Sequence, residues 1–142
     1  MRLRIYIVGV ALLAGIAGAG LVLAREPDSQ DGVTAQQLLD EQLAREPGKK
    51  VNVHTYTFAP GTVLPWHIHP DADEIAYVVE GNFTFQLEGE PLKELKAGEV
   101  FYLRPNVVHR GMNKSDKPVK LFVVRIKPKD MPLAVNVPAP PQ

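Results

Sequence analysis

The chain predicts an antiparallel all-β sandwich or barrel, and three observations carry that prediction. Between Val51 and Lys127, short runs rich in Val, Ile, Thr, Tyr and Phe follow one another closely. Breaks bearing Gly, Pro or Asn separate these runs. The 142 residues fit one domain and leave little room for a second.

The amino terminus reads differently. Met1-Arg-Leu-Arg4 is followed by Ile5 to Ala24 without a charged residue. That is the form of an export signal, with Val22-Leu23-Ala24 as a cleavage site. Twenty apolar residues at about 1.5 Å rise also just span a hydrocarbon core of about 30 Å, so an uncleaved anchor is the alternative. Either reading keeps Arg2 and Arg4 on the cytoplasmic side and sends the domain to the periplasm or the exterior. The membrane then matters only through residues 5–24, and only if they are retained.

Residues 25–49 read as a polar spacer and a short helix. Thr34-Ala-Gln-Gln37 has the form of a capping box, Leu38, Leu39 and Leu43 supply an apolar stripe, and Pro47-Gly48 stops it. The barrel is expected over residues 50–127. Its strands are Val51–Phe58, the histidine strand after Pro60-Gly61, Ile75–Val79, Asn82–Leu87, Leu92–Lys96, Val100–Leu103, Val107–Gly111 and Val119–Ile126. The proline-rich tail, 128–142, is expected to run extended over the surface or to lack order.

Composition excludes several classes of function. Lys+Arg and Asp+Glu are both 16, and no basic stripe or aromatic RNA-binding motif is present, which argues against nucleic acid. Cleavage after Ala24 would remove two arginines and leave a net charge of −2, too small to steer a partner. With no cysteine there is no disulfide, thiolate ligand or thiol nucleophile.

The chemistry concentrates in two segments. The first runs Gly61-Thr-Val-Leu-Pro-Trp-His67-Ile-His69-Pro-Asp-Ala-Asp-Glu74 and continues to Gly81; the second runs from Gly98 through His109 to Asn113. On an extended strand His67 and His69 face one side, and Ile68 faces the other. Pro70 to Asp73 has turn chemistry, after which Glu74 opens a returning strand. Three imidazoles and a carboxylate suit one divalent ion of iron, manganese, nickel, copper or zinc. The opposing reading, polar residues on a solvated sheet face, does not account for four such residues in this order. Glu74 is also a candidate base. For a substrate pocket the candidates are Arg104, at a strand end, Tyr102 and His54. Trp66 should face away from His67 and pack on the outer surface. Asp71 and Asp73 read as solvated turn residues.

These two segments resemble the paired motifs of the cupin superfamily. Gly61, His67, His69, Glu74 and Gly81 match the first motif, and Gly98, His109 and Asn113 match the second. The second departs at Arg104-Pro105-Asn106, where Asn106 can supply a left-handed turn in place of glycine. The resemblance implies a small jelly-roll barrel with His67, His69, Glu74 and His109 as metal ligands, and a homodimer. It leaves the reaction open, because the superfamily holds many chemistries. Four ligands on a six-coordinate metal leave two positions for water, oxygen or a chelating substrate. An exported metal-dependent enzyme on a small organic substrate, with a dioxygenase type leading, is the first expectation. The second is a non-catalytic module that binds or senses a small ligand.

Overall fold

The structure is a computed structural model and describes residues 28–30 and 32–141. The expected export segment, 1–24, lies outside the described residues. Among the described residues eleven strands follow in order: β1 (Asp28–Gln30), β2 (Val33–Gln42), β3 (Lys49–Phe58), β4 (His67–Ile68), β5 (Asp73–Glu80) and β6 (Asn82–Leu87), then β7 (Lys93–Lys96), β8 (Val100–Leu103), β9 (His109–Met112), β10 (Val119–Pro128) and β11 (Val135–Asn136). They form a six-stranded sheet, β1-β2-β3-β10-β5-β8, and a five-stranded sheet, β11-β4-β9-β6-β7. All pairings are antiparallel. The two sheets face each other as a jelly roll, the fold the resemblance implies.

Strand alternation builds the core. Along β10, Val119, Leu121, Val123, Arg125 and Lys127 are buried while Lys120 and Phe122 are exposed. Beside them in the same sheet stand Phe58 of β3 and Ala76 and Val78 of β5, and Phe83 and Phe85 of β6 face them from the other sheet. Phe101 stacks on Phe85 at 4.9 Å between centroids, and Phe58 meets Phe83 edge-on at 5.3 Å. The chain passes between sheets at Gly81, a single residue between β5 and β6 with φ of 82°. A Cβ there would stand 2.9 Å from Val119 Cγ2 and 3.0 Å from the Pro118 carbonyl oxygen, so only glycine fits without displacement.

The expected helix over Thr34–Leu43 is not formed. Those residues lie almost wholly in β2, which pairs with β3 from Val33↔Phe58 to Gln42↔Lys50, with a bulge between Gln37 and Leu39. Ten residues of β3 would otherwise present an open edge of unpaired backbone groups. A helix of this length is marginal in water and gains only from packing. Leu38 and Leu39 are exposed and only Leu43 is half-buried, so most of the apolar stripe that suggested a helix stays in solvent. The tail takes the extended course that was one of the two expectations, and it is also tied down: β11 pairs with β4, and the Val137 amide donates to the Trp66 carbonyl at 2.9 Å.

Candidate metal centre

The five-stranded sheet supplies the histidines. His67 on β4 lies directly opposite His109 on β9, and His69 follows one residue beyond β4. Their ring centroids stand 4.2 to 5.1 Å apart, and all three side chains are buried. One ligand nitrogen from each lies within 4.8 Å of the others. The turns that carry them are clipped together. Asn106 Nδ2 donates to Asp71 Oδ1 at 2.8 Å, and the Asp71 amide donates back to Asn106 Oδ1 at 3.1 Å. Asn106 has φ of 63°, the left-handed turn expected of it.

Each imidazole uses Nδ1 on a backbone carbonyl: Pro65 for His67 and Val107 for His109, both at 2.9 Å, and Leu133 for His69 at 2.6 Å. A carbonyl only accepts, so each Nδ1 carries the hydrogen. That leaves Nε2 as the nitrogen for a metal, with its tautomer set by the outer hydrogen bond. His69 Nε2 meets Glu74 Oε2 at 2.9 Å. A bare lone pair facing a carboxylate repels it, so either a proton or a metal cation must stand between them. The donor set therefore fits a divalent cation.

The opposite sheet supplies Glu74, on β5, and Arg125, its register partner on β10. Arg125 Nε donates to Glu74 Oε2 at 2.6 Å, and Nη1 donates to the Tyr56 hydroxyl at 2.8 Å. Both partners are buried. Burial alone would raise the Glu74 carboxyl, but the Arg125 guanidinium and the His69 hydrogen bond hold it well below the usual carboxylate range. Burial likewise disfavours charge on Arg125, and Glu74 and Tyr56 together more than offset it. Burial, then the neighbouring His109, lowers His67 to about 4. Burial also lowers His109, so both rings are neutral and able to bind metal at neutral pH.

A cavity of about 290 Å³ opens from this cluster. Its walls are mainly apolar, with Phe58, Phe83, Phe85, Phe101, Leu121 and Val123 among them, and Arg110, Leu133, Ala134 and Asn136 also border it.

The structure brings His67, His69 and His109 into one group and sets Glu74 beside it, bound to His69 and Arg125. It does not bring the three pocket candidates to the cavity. Tyr102 must face outward because its neighbour Leu103 faces in; it is 55% exposed and donates to Asp73 Oδ1 at 2.5 Å. Arg104 is exposed beyond β8. His54 is buried but stacks on Tyr56 at 5.5 Å, and Tyr56 takes the place in the cavity wall. Trp66 also stays out of the lining, with the Arg110 guanidinium 4.7 Å from its ring centroid. Arg125 and Tyr56 escaped the sequence reading. An arginine on the buried phase of the Val119–Leu121–Val123 alternation was the available signal for the first.

Comparison with known proteins agrees with this architecture. Residues 54–125 match the family model described as a cupin domain, so the chain belongs to the cupin family. A germin-like protein of Morus alba is 30% identical over 88 residues, covering 59% of this chain and 42% of that one. The chain spans less than half the length of the first curated relatives it matches. Among solved structures, a predicted oxalate decarboxylase from Thermotoga maritima superposes with a TM-score of 0.61 at 21% identity, covering 74% of this chain and 98% of that one. A recombinant oxalate oxidase in complex with glycolate gives 0.58 at 27% identity, covering 76% and 56%.

Proposed function

We propose that the chain is an exported metal-dependent cupin enzyme that oxygenates a small organic molecule. The observation that carries this reading is the set of three buried imidazoles whose Nε2 atoms face an apolar cavity. His67, His69 and His109 hold the ion, and Glu74 serves as fourth donor or as base. Bound iron, manganese, nickel or copper supplies Lewis acidity and redox chemistry at that point. Arg125 keeps Glu74 ionised and oriented. The phenylalanine walls exclude water and accept a flat ring, which suits a catechol- or flavonol-like substrate better than a small dianion such as oxalate.

One observation favours the second reading, a non-catalytic binding module: Arg125 and His69 already engage Glu74, which limits its freedom as a base. Oxygen uptake by the iron-, manganese-, nickel- and copper-loaded chain with catechol, flavonol and oxalate separates the two. Uptake with a ring substrate is expected. Calorimetric binding of a ring compound without turnover in any metal form would favour the second reading and end the oxygenase one.

Export rests on Met1 to Ala24, and amino-terminal sequencing of the protein from its native compartment tests it. A second copy of the chain is the partner we infer for the outer face of the larger sheet. There Ile75, Tyr77, Val79, Val100, Tyr102 and Phe122 are each at least 37% exposed, and register sets Ile75 beside Tyr102 and Tyr77 beside Val100. These side chains expose several hundred Å², a large part of the roughly 800 Å² per partner that a stable interface buries. Light scattering at micromolar concentration is expected to give a dimer; a monomer would remove this inference.

A further inference from the structure

We propose that the carboxy-terminal segment Lys129–Val137 is a positioning strap for the metal centre, with the Leu133 carbonyl fixing the ring of His69. This rests on the metal-binding reading above. The three histidines differ in how their outer nitrogens are held. His67 and His109 donate to carbonyls two residues earlier, Pro65 and Val107, in the segments that lead into their strands. Those bonds form whenever the local backbone forms. His69 donates to Leu133, 64 residues away, so its tautomer and ring direction depend on where the tail runs.

The path of the tail is specified by its own bonds. The Lys129 amide donates to the Gly48 carbonyl at 3.0 Å, which starts the segment beside the β2–β3 turn. At the other end Val135 pairs with Ile68 and Asn136 with His67, and the Val137 amide reaches the Trp66 carbonyl at 2.9 Å. Leu133 is held between these two anchorages. The anchoring is reciprocal, since β4 is two residues long and shares a single pair with β9. With β11 in place, the strand bearing His67 is paired on both edges. The strap therefore braces two of the three histidines, His67 through the backbone and His69 through the ring. Leu133 and Ala134 also border the cavity, so the same residues lie against any bound ligand.

Two variants test the strap: the chain ended after Pro128, and the full chain with Val137→Pro, which removes the amide that bonds Trp66. The probes are Co²⁺ affinity by calorimetry and the imidazole N–H signals of the metal-free, ¹⁵N-histidine-labelled protein. Loss of an outer partner of a metal-bound histidine typically weakens affinity about 10- to 100-fold. The truncated chain is expected to lose Co²⁺ affinity in that range and to lose the protected Nδ1–H of His69, while the Nδ1–H signals of His67 and His109 and any Nε2–H of His69 on Glu74 persist. Val137→Pro should move both readouts in the same direction by less, and it decides the matter if the truncated chain does not fold. Unchanged Co²⁺ affinity in a folded variant, or retention of all three protected Nδ1–H signals, overturns the proposal. If the intact chain takes up no Co²⁺, the metal reading fails by itself, and the N–H signals still report whether the tail holds His69.

Discussion

Arg125 shows how one side chain sets the character of this site. It is buried, its one carboxylate partner among the described residues is Glu74, and it stands 5.3 Å from the Tyr56 ring. Replacing a buried ion pair as a whole is often tolerated, whereas removing one partner leaves an uncompensated charge that costs about 3–5 kcal/mol. Arg125→Met is therefore expected to lower stability by about that amount in urea unfolding. A loss under about 1 kcal/mol would mean that Glu74 does not depend on Arg125. The histidines were legible because their i, i+2 spacing on a strand puts two imidazoles on one side. Tyr102 and Arg104 were misplaced for a related reason: alternation had not been tied to the inward-facing Leu103.

Among the elements, most strands of the barrel formed within two residues of where alternation put them, β5 starting two residues early at Asp73 and β9 two residues late at His109. Asn82–Leu87 and Val100–Leu103 have the expected bounds, and β10 runs two residues beyond expectation. The exception is β2. Its leucine spacing satisfied a helix, but the backbone groups of β3 demanded a partner that local propensity does not register. Gly81 belongs at this scale because it passes the chain from one sheet to the other. Its positive φ and the 2.9 Å approach to Val119 both penalise a side chain. Gly81→Ala is expected to destabilise the fold by about 2–4 kcal/mol, the combined cost of backbone strain and overpacking. A change within about 0.5 kcal/mol in the denaturant midpoint analysis would show that the turn relaxes freely.

For the whole molecule, burying a polar centre between two sheets makes the metal-free protein sensitive to acid. His67 is lowered from its ordinary value of 6.5 to about 4 in the folded chain. As pH falls below about 6.5, the unfolded chain takes up that proton first, and stability falls until about pH 4. The span corresponds to a loss on the order of 3 kcal/mol. Glu74 acts in the same direction: its folded carboxyl is held below the usual range, so its stabilising contribution is complete above that range and is lost in stronger acid. The chelator-treated protein should thus show a denaturation midpoint that declines from neutral pH to about 5, before ordinary carboxylates protonate. A midpoint flat over that interval would show that the His67 ring is solvated.

What the amino-acid order determined alone was the all-β class, the cupin motifs and the histidines of the site. Each of these depends on short-range spacing, on alternation along a strand, or on turn residues with restricted backbone angles. Tertiary structure alone decided that Arg125 meets Glu74 across 51 residues and that Leu133 meets His69 across 64. It also decided that Thr34–Gln42 extends as a strand. Such outcomes turn on satisfying buried charge and backbone hydrogen bonds between distant segments, and no local pattern records which segments will meet.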